Sequence, residues 1–201
     1  MYRDLEISKW VLENISKPFP FISEISKFVS NITSWGQAWY LFMIGIIIYK
    51  SIKEKRINIY LLLEFAIVGL GWILADKGIK NWIGRERPYQ EIPEFATFAE
   101  ALGYDYPSSP SFPSGHTLFA FGVAFIILKV NTSLGIGSYV FATMIALSRI
   151  ILGAHYLSDV IAGAAYGTLI GVLGNLFANF INPKLQPLLD KLIKKGEVSW
   201  D

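Results

Sequence analysis

The fold that this sequence predicts is all-α, a polytopic bundle of transmembrane helices, and three observations predict it. The 201-residue chain is 53% hydrophobic and only 17% charged, against about 25% charged for ordinary soluble domains, and its mean hydropathy is +0.42. Five apolar stretches, near 35–50, 57–79, 115–130, 134–152 and 158–181, approach the roughly 20 residues that cross a hydrocarbon core. In the last of them Gly163, Gly167 and Gly171 recur every fourth residue, the small-residue spacing that lets membrane helices pack closely.

Ahead of the first span, residues 1–34 mix Arg3, Asp4, Glu6, Lys9, Glu13, Lys17, Glu24 and Lys27 with apolar positions. No uninterrupted apolar core for a cleaved signal peptide is left, so the mature chain is expected to begin at Met1. Trp10, Val11, Leu12 and Ile15, then Phe19, Phe21, Ile22, Ile25, Phe28 and Val29, fit amphipathic helices lying in the membrane interface better than a sixth span. Pro18 and Pro20 mark a kink or turn between them. The stretch 84–112, rich in Pro, Ser and Glu, is the longest without an apolar run and reads as an extracytoplasmic loop; loops of that length are usually functional or disordered. Residues 183–201 read as a cytoplasmic tail, with a short amphipathic helix at 185–195. There is no internal repeat, no low-complexity tract and no second domain, so 1–201 is one membrane-embedded domain.

Lys50, Lys53, Lys55 and Arg56 follow the first span, Lys129 ends the third, and Lys184, Lys191, Lys194 and Lys195 occupy the tail. The positive-inside rule places these ends in the cytoplasm and the 84–112 loop on the other side of an inner (plasma) membrane. Arg3, Lys9, Lys17 and Lys27 run against that assignment. A net charge of +2, scattered rather than clustered, gives no reason to expect a nucleic-acid partner. Zero cysteines exclude disulfides and thiolate chemistry. No residue pattern sets an oligomeric state.

Three blocks carry chemistry: Lys80 with Arg87-Pro88, then Pro113-Ser114-Gly115-His116, then Ser148-Arg149 with His155 and Asp159. They gather three cations, both histidines of the chain and a carboxylate, and charged side chains near membrane depth are rare unless they function. Lys80 and Arg87 are seven residues apart, so on a helix they share a face about 10 Å apart along the axis, and Pro88 is expected to end that helix. An arginine fork suits bidentate contact with phosphate oxygens and a lysine adds a point charge; two cations snorkelling at a helix end would look the same. Asp76 and Lys77 are either more of these or a local ion pair. Ser114 is a favourable N-cap, Gly115 lets backbone approach a ligand, and free N–H groups at a helix start bind anions; His116 follows in the first turn. Asp159, four residues after His155, is placed to accept a hydrogen bond from one imidazole nitrogen and set its tautomer. The other nitrogen is then free to attack phosphorus, although a structural histidine beside an aspartate is the second reading. Two histidines and an aspartate do not have HExxH-type spacing, and three cations would repel a metal. No Walker-type GxxxxGK[ST] occurs.

Order and spacing together, Lys80-x6-Arg87-Pro88, Pro113-Ser114-Gly115-His116 and Ser148-Arg149-x5-His155-x3-Asp159, resemble the three-part signature of the type 2 phosphatidic acid phosphatase family, which also includes bacterial acid phosphatases and vanadium haloperoxidases. Every signature position matches. Membrane members typically have six spans, and here the first is replaced by the amphipathic segment. The resemblance implies His155 as a nucleophile forming a phosphohistidine, Asp159 as its polarising partner, and His116 as the group that protonates the leaving oxygen and later activates water. It implies Lys80, Arg87 and Arg149, with Ser114 and the Gly115 amide, as the groups that hold the equatorial oxygens of five-coordinate phosphorus. Phosphoryl transfer needs in-line positioning and charge stabilisation, and three cations supply the second without a metal or cofactor.

The expectation is therefore an integral membrane lipid phosphatase, with a membrane lipid as substrate and undecaprenyl diphosphate as the leading candidate. Phosphatidylglycerol phosphate, phosphatidic acid and lipid A 1-phosphate fit the same core. A vanadate-dependent oxidant shares the signature, but the apolar spans count against it. A non-catalytic phospholipid-binding or transport protein would need the cations but not the two histidines and Asp159. Outside the signature, Glu64 inside the second span is either a buried hydrogen-bonded residue or part of a substrate path. Tyr89, Phe95, Phe98, Tyr104 and Tyr106 either line a headgroup vestibule or anchor their loop at the interface.

Overall fold

The structure, a computed structural model, describes residues 2–195. Its helices are α1 (Tyr2–Val11), α2 (Pro20–Ile32), α3 (Gln37–Glu54), α4 (Ile59–Leu74), α5 (Lys80–Ile83), α6 (Pro88–Glu91), α7 (Pro93–Leu102), α8 (Gly115–Val130), α9 (Thr132–Ile151) and α10 (Leu157–Lys195). A π-turn at Leu12–Ser16 extends α1, another at Ala75–Ile79 joins α4 to α5, and a 3-10 turn covers Ser34–Gly36. No strand occurs among the described residues, as an all-α chain requires.

A helix stands at each of the five expected span positions, but not all five have the form of a crossing. Three stretches, Ile59–Glu91, Thr132–Ile151 and Leu157–Ile193, are long and apolar enough to cross a bilayer. The apolar helix α8 has only 16 residues, and α3 carries Lys50, Lys53 and Glu54 in its last turns. Helix α8 packs against α10, α9 and α4 at the centre of the bundle, with Leu118, Ala120, Val123, Ala124, Ile126 and Ile127 wholly buried. Outward-facing Leu41, Ile48, Leu70, Val140, Leu169 and Phe180 surround that core, while Glu64, Arg87, Arg149, His155 and Asp159 lie inside. Apolar outside and charged inside is the pattern of a chain whose surroundings are lipid. Glu64 takes the first of its two readings: Asn175 of α10 donates to its Oε1 at 2.8 Å.

Three expectations about the connecting segments change. The stretch 84–112 is not a featureless loop, because α6 and α7 fold within it and bury Ile92, Phe95 and Ala99. The tail is not a separate helix up to 195: α10 runs through Pro183 and Pro187. Gln186 fastens this part to the α3–α4 turn, donating to the Ile57 carbonyl at 2.9 Å and accepting from the Ile59 amide at 3.3 Å. The last tail residues, 196–201, lie outside the described residues. The N-terminal segment is amphipathic as expected, but α2 is inverted relative to a soluble helix. Phe21, Ile25 and Phe28 face outward, and Ser23, Ser26, Val29 and Ser30 are buried where α2 packs on α9.

The glycine stripe sets the depth of packing between α8 and α10. A methyl group on Gly163 would stand 2.7 Å from the Ser114 carbonyl oxygen, one on Gly167 would overlap the Leu118 carbonyl, and one on Gly171 would lie 3.0 Å from Phe125 Cβ. With lipid as apolar as the side chains, helix association rests on such close van der Waals approach. The same contact puts the start of α8 beside the start of α10, where the Ser114 amide donates to the Asp159 carbonyl at 3.0 Å.

Gly167→Ala should therefore cost about 1–3 kcal/mol through overpacking and lower the melting temperature in detergent. Gly137→Ala, where nothing lies within 4 Å of the new methyl, should leave it unchanged. Equal melting curves for the two variants would show that α8 and α10 do not meet backbone to backbone.

Candidate active site

The first block is delivered by the end of one helix and the start of another. Helix α5 stops at Gly84, which adopts a left-handed conformation (φ 61°) and returns its amide to the Lys80 carbonyl at 2.8 Å, a glycine C-terminal cap. The chain then extends through Arg87, and Pro88 occupies the first turn of α6, where its missing N–H costs nothing. Thus Pro88 opens a helix rather than ending one, and Lys80 and Arg87 converge on the site from different elements instead of sharing a face. Lys80 is paired with Asp76 at 3.0 Å, so Asp76 and Lys77 belong to a local ion-pair group. Arg87 is held on every nitrogen: Nε donates to the Ser109 carbonyl at 2.7 Å, Nη1 to the Ala154 carbonyl at 2.7 Å, and Nη2 to Ser109 Oγ and the Pro110 carbonyl at 3.2 Å each.

The second block starts α8. Ser114 sits at the N-cap, but its side chain makes no capping bond; its hydroxyl accepts from Thr117 Oγ1 at 3.0 Å. The absence of a side chain at Gly115 leaves room for Trp72 and Lys80, whose Nε1 and Nζ would stand 3.1 and 3.8 Å from an added methyl. His116 Nε2 is buried without a hydrogen-bond partner.

The third block is the tight turn between α9 and α10. Gly153 turns the chain with φ 66°, and any side chain there would strike the ring of Phe95. His155 follows, 1% exposed, with its Nε2 3.1 Å from Arg87 Nη1. A guanidinium only donates, so Nε2 must be the accepting nitrogen and the proton belongs on Nδ1. Contrary to the direct pairing expected from the spacing, Nδ1 lies 3.6 Å from Asp159 Oδ2, beyond a hydrogen bond. Ser111 stands between them, 3.4 Å from His155 Nδ1 and donating to Asp159 Oδ2 at 2.5 Å. The reason is that Asp159 is turned to other donors: the Tyr156 amide at 2.9 Å on Oδ2 and Arg85 Nη1 at 2.6 Å on Oδ1.

A cavity of about 480 Å³ is lined by Lys80, Arg87, Gly115, His116, Arg149 and His155. Six of the eight residues singled out from the sequence thus meet in one space, while Ser114 and Asp159 stand behind its wall. Trp39, Trp72 and Phe119 add apolar surface, and Tyr106 and Ser109 come from the 84–112 stretch. Tyr106 stacks on Tyr89 with centroids 3.9 Å apart and donates to the Leu152 carbonyl at 2.6 Å. Of the loop aromatics, Tyr106 lines the cavity, while Phe95 and Tyr104 are core, and Tyr89 and Phe98 pack against Phe95 and its neighbours. Burial, then the charges of Arg87, Arg149 and Lys80, holds His155 well below the usual histidine value and keeps it neutral.

Sequence reasoning missed Ser111, Arg85, Asp4 and Ser30, and did not connect Tyr104 with Arg149. Arg85 bridges Asp159 and Asp4, with its Nη2 2.8 Å from Asp4 Oδ2. Asp4 in turn accepts from Ser158 Oγ at 2.6 Å and from the Ser158 amide at 3.2 Å. The N-terminal helix is thereby fixed at the same end of the bundle as the three blocks. Ser111 and Arg85 lie within or beside the signature blocks, which could have flagged them; nothing in the sequence pairs Asp4 with a residue 154 positions away.

A family model described as the PAP2 superfamily matches residues 58–182. Among curated proteins, the bacitracin transport permease protein BcrC of Bacillus licheniformis is 29% identical over 73% of this chain and 67% of its own length. A lipid A 1-phosphatase of Rhizobium etli is 32% identical over 68% of this chain and 64% of its own; the chain thus spans about two thirds of these relatives. Among solved structures, a transmembrane PAP2-type phosphatidylglycerolphosphate phosphatase from Bacillus subtilis superposes with a TM-score of 0.67 at 25% identity, covering 90% of this chain and 86% of that one.

The state of His155 has a measurable consequence. Below its ordinary value of 6.5, the unfolded chain binds a proton there that the native chain does not. Stability is thus present above that value and is lost as pH falls below it, by at most about 1.4 kcal/mol per pH unit for one group. Melting temperature in detergent should drop between about pH 7 and pH 5, and His155→Gln should flatten the slope by up to one proton. An unchanged slope would mean that His155 is charged in the native site.

Proposed function

The chain belongs to the PAP2 superfamily, and from that footing we propose that it is an integral membrane lipid phosphatase that cleaves a phosphate or diphosphate headgroup through a phosphohistidine. One observation carries the reading: a neutral histidine with its Nε2 lone pair held beside three cations, in the same cavity as a second histidine whose Nε2 has no protein partner. Holding a lipid phosphate would need the cations alone; the two histidines supply a nucleophile and an acid.

In the first step His155 Nε2 attacks phosphorus as the bond to the leaving oxygen breaks, and His116 gives that oxygen its proton. The His155 Nδ1 proton is directed at Ser111 and, through it, at Asp159, which favours the imidazolium character that grows during attack. In the second step His116 takes a proton from water, the new hydroxide attacks phosphorus, and the bond to His155 breaks. Lys80, Arg87, Arg149 and the Gly115 amide offset charge on the equatorial oxygens. Ser114 serves by holding the start of α8 in place rather than by touching phosphate.

The headgroup we favour is a diphosphate on a long polyprenyl tail, undecaprenyl diphosphate. Its terminal phosphate stands clear of the bilayer and can meet Lys80, Arg87 and Arg149 together, while tail burial adds roughly 0.8 kcal/mol per CH₂. Two of the relatives named above carry names for other headgroups, phosphatidylglycerolphosphate and lipid A, so family membership leaves this choice to the residues of the cavity. With purified protein, phosphate release should be fastest from undecaprenyl diphosphate, slower from phosphatidylglycerol phosphate and lipid A 1-phosphate, and absent on all three for His155→Ala. Vanadate should inhibit and EDTA should not. A glycerolipid or lipid A turned over far faster would overturn the headgroup; near-native release by the His155 variant would overturn the mechanism.

The orientation follows from where the cations lie. Asp159 and Gln186 are separated by 186 − 159 = 27 residues of α10, about 40 Å at 1.5 Å per residue, which matches a bilayer with its headgroups. Gln186 marks the end that carries Lys53, Lys55 and Arg56. That end should face the cytoplasm of an inner membrane and the cavity the outside. Glu94→Cys, exposed on α7, should label with an impermeant thiol reagent on intact cells, and Lys53→Cys should not; the reverse pattern would put the site in the cytoplasm.

A further inference from the structure

The phosphate-facing arginine of the third block is held by an element outside the family match. Arg149 is 1% exposed, and its Nη1 donates both to the hydroxyl of Ser30 and, at 2.7 Å, to that of Tyr104. The two hydroxyls also touch each other at 3.3 Å. Its Nε and Nη2 are buried and have no partner among the described residues, although Arg149 lines the cavity. One tip of the fork is therefore clamped, and three N–H groups are left for a ligand. Ser30 comes from α2 and Tyr104 from the segment after α7, so the clamp draws together two parts of the chain that the α9 sequence does not specify.

Helix α2 is seated by polar contacts together with Val29, its one buried apolar side chain. Ser23 donates to the Ser16 carbonyl at 3.1 Å and Lys27 to the Leu102 carbonyl at 2.6 Å, while Phe21, Ile25 and Phe28 point outward. Directly after Ser30, Thr33 and Ser34 contribute to the cavity wall. Residue 30 precedes the matched stretch 58–182, so membership of the family does not supply it.

We propose that Ser30, with Tyr104, is a positioning residue for the phosphate: by fixing the Arg149 guanidinium at Nη1, the interfacial helix α2 aims the Nε and Nη2 edge at the phosphate oxygens. The inference rests on the phosphatase reading for its kinetic consequence, but the clamp itself is a statement about anion binding. A bidentate fork depends on the plane of the guanidinium, and a misplacement of about 1 Å at a reacting group can cost on the order of 100-fold in rate. An untethered Arg149 keeps its charge but loses its aim.

The test is a double-mutant cycle with two readouts on the purified protein: kcat/KM for phosphate release, and orthovanadate affinity from quenching of the intrinsic fluorescence to which Trp39 and Trp72 of the cavity contribute. Ser30→Ala should lower kcat/KM and weaken vanadate binding together, each by about tenfold or more. Ser30→Thr, which keeps the hydroxyl, should restore most of both, and Ser26→Ala, one turn earlier on the same buried face, should change neither. In an Arg149→Lys background, Ser30→Ala should add almost nothing, because the clamped fork is already gone. Should Ser30→Ala fail to fold, Tyr104→Phe removes the other hydroxyl and should move both readouts in the same direction. Wild-type kinetics and vanadate affinity for Ser30→Ala, or a full additive loss on top of Arg149→Lys, would overturn the proposal. A wild-type protein that releases no phosphate from any lipid would sink the phosphatase reading alone, since vanadate affinity still decides the clamp.

Discussion

Everything in the site depends on how closely α10 can approach α8. Side chains at Gly163 and Gly167 would run into the Ser114 and Leu118 carbonyls, and only without them can the Ser114 amide reach the Asp159 carbonyl. That bond ties the block that holds His116 to the block that holds His155. The separation of the two histidines is thus set by backbone contact rather than by flexible side chains. Within a bilayer this matters more than in water, because no hydrophobic force draws the helices together and packing must do so.

The second constraint is charge. Lys80, Arg87 and Arg149 converge on one cavity and are themselves buried, and unpaired buried cations are costly. Asp76 offsets Lys80, and backbone carbonyls take up most of Arg87. Asp159 does not offset these cations, because it faces Arg85 and, beyond it, Asp4. The excess positive charge that remains is the complement of a phosphate dianion. His155 stays neutral first because it is buried and then because Arg87, Arg149 and Lys80 stand near it, while Asp159 comes no closer than 3.6 Å.

The N-terminal segment then acquires a reason to exist. Helix α1 anchors the Asp4–Arg85–Asp159 chain behind the site, and α2 reaches Arg149 in front of it. Both helices have outward apolar residues, Trp10 on α1 and Phe28 on α2, and the same segment touches Arg85 and Arg149. Its cations Arg3, Lys9, Lys17 and Lys27, which run against the positive-inside count, sit at the site end because the segment is fastened there by Asp4 and Lys27.

Composition, the five apolar stretches and the spacing of the three blocks were enough to give the all-α membrane architecture and the residues that meet in the cavity. These features are local: hydropathy is summed along the chain, and a signature motif keeps its order. The glycine repeat also foretold close packing along one face of the last helix, since a four-residue period defines a helix face, but not that α8 is the helix packed there. The sequence could not show that Pro88 starts a helix, or that α6 and α7 structure the 84–112 stretch. Nor could it place Ser111 between His155 and Asp159, or bring Ser30 to Arg149 across 119 residues. Those facts were decided by tertiary structure alone, because a hydrogen-bond partner is chosen by which donors the packed backbone brings within about 3 Å, and no periodicity along the chain encodes that distance.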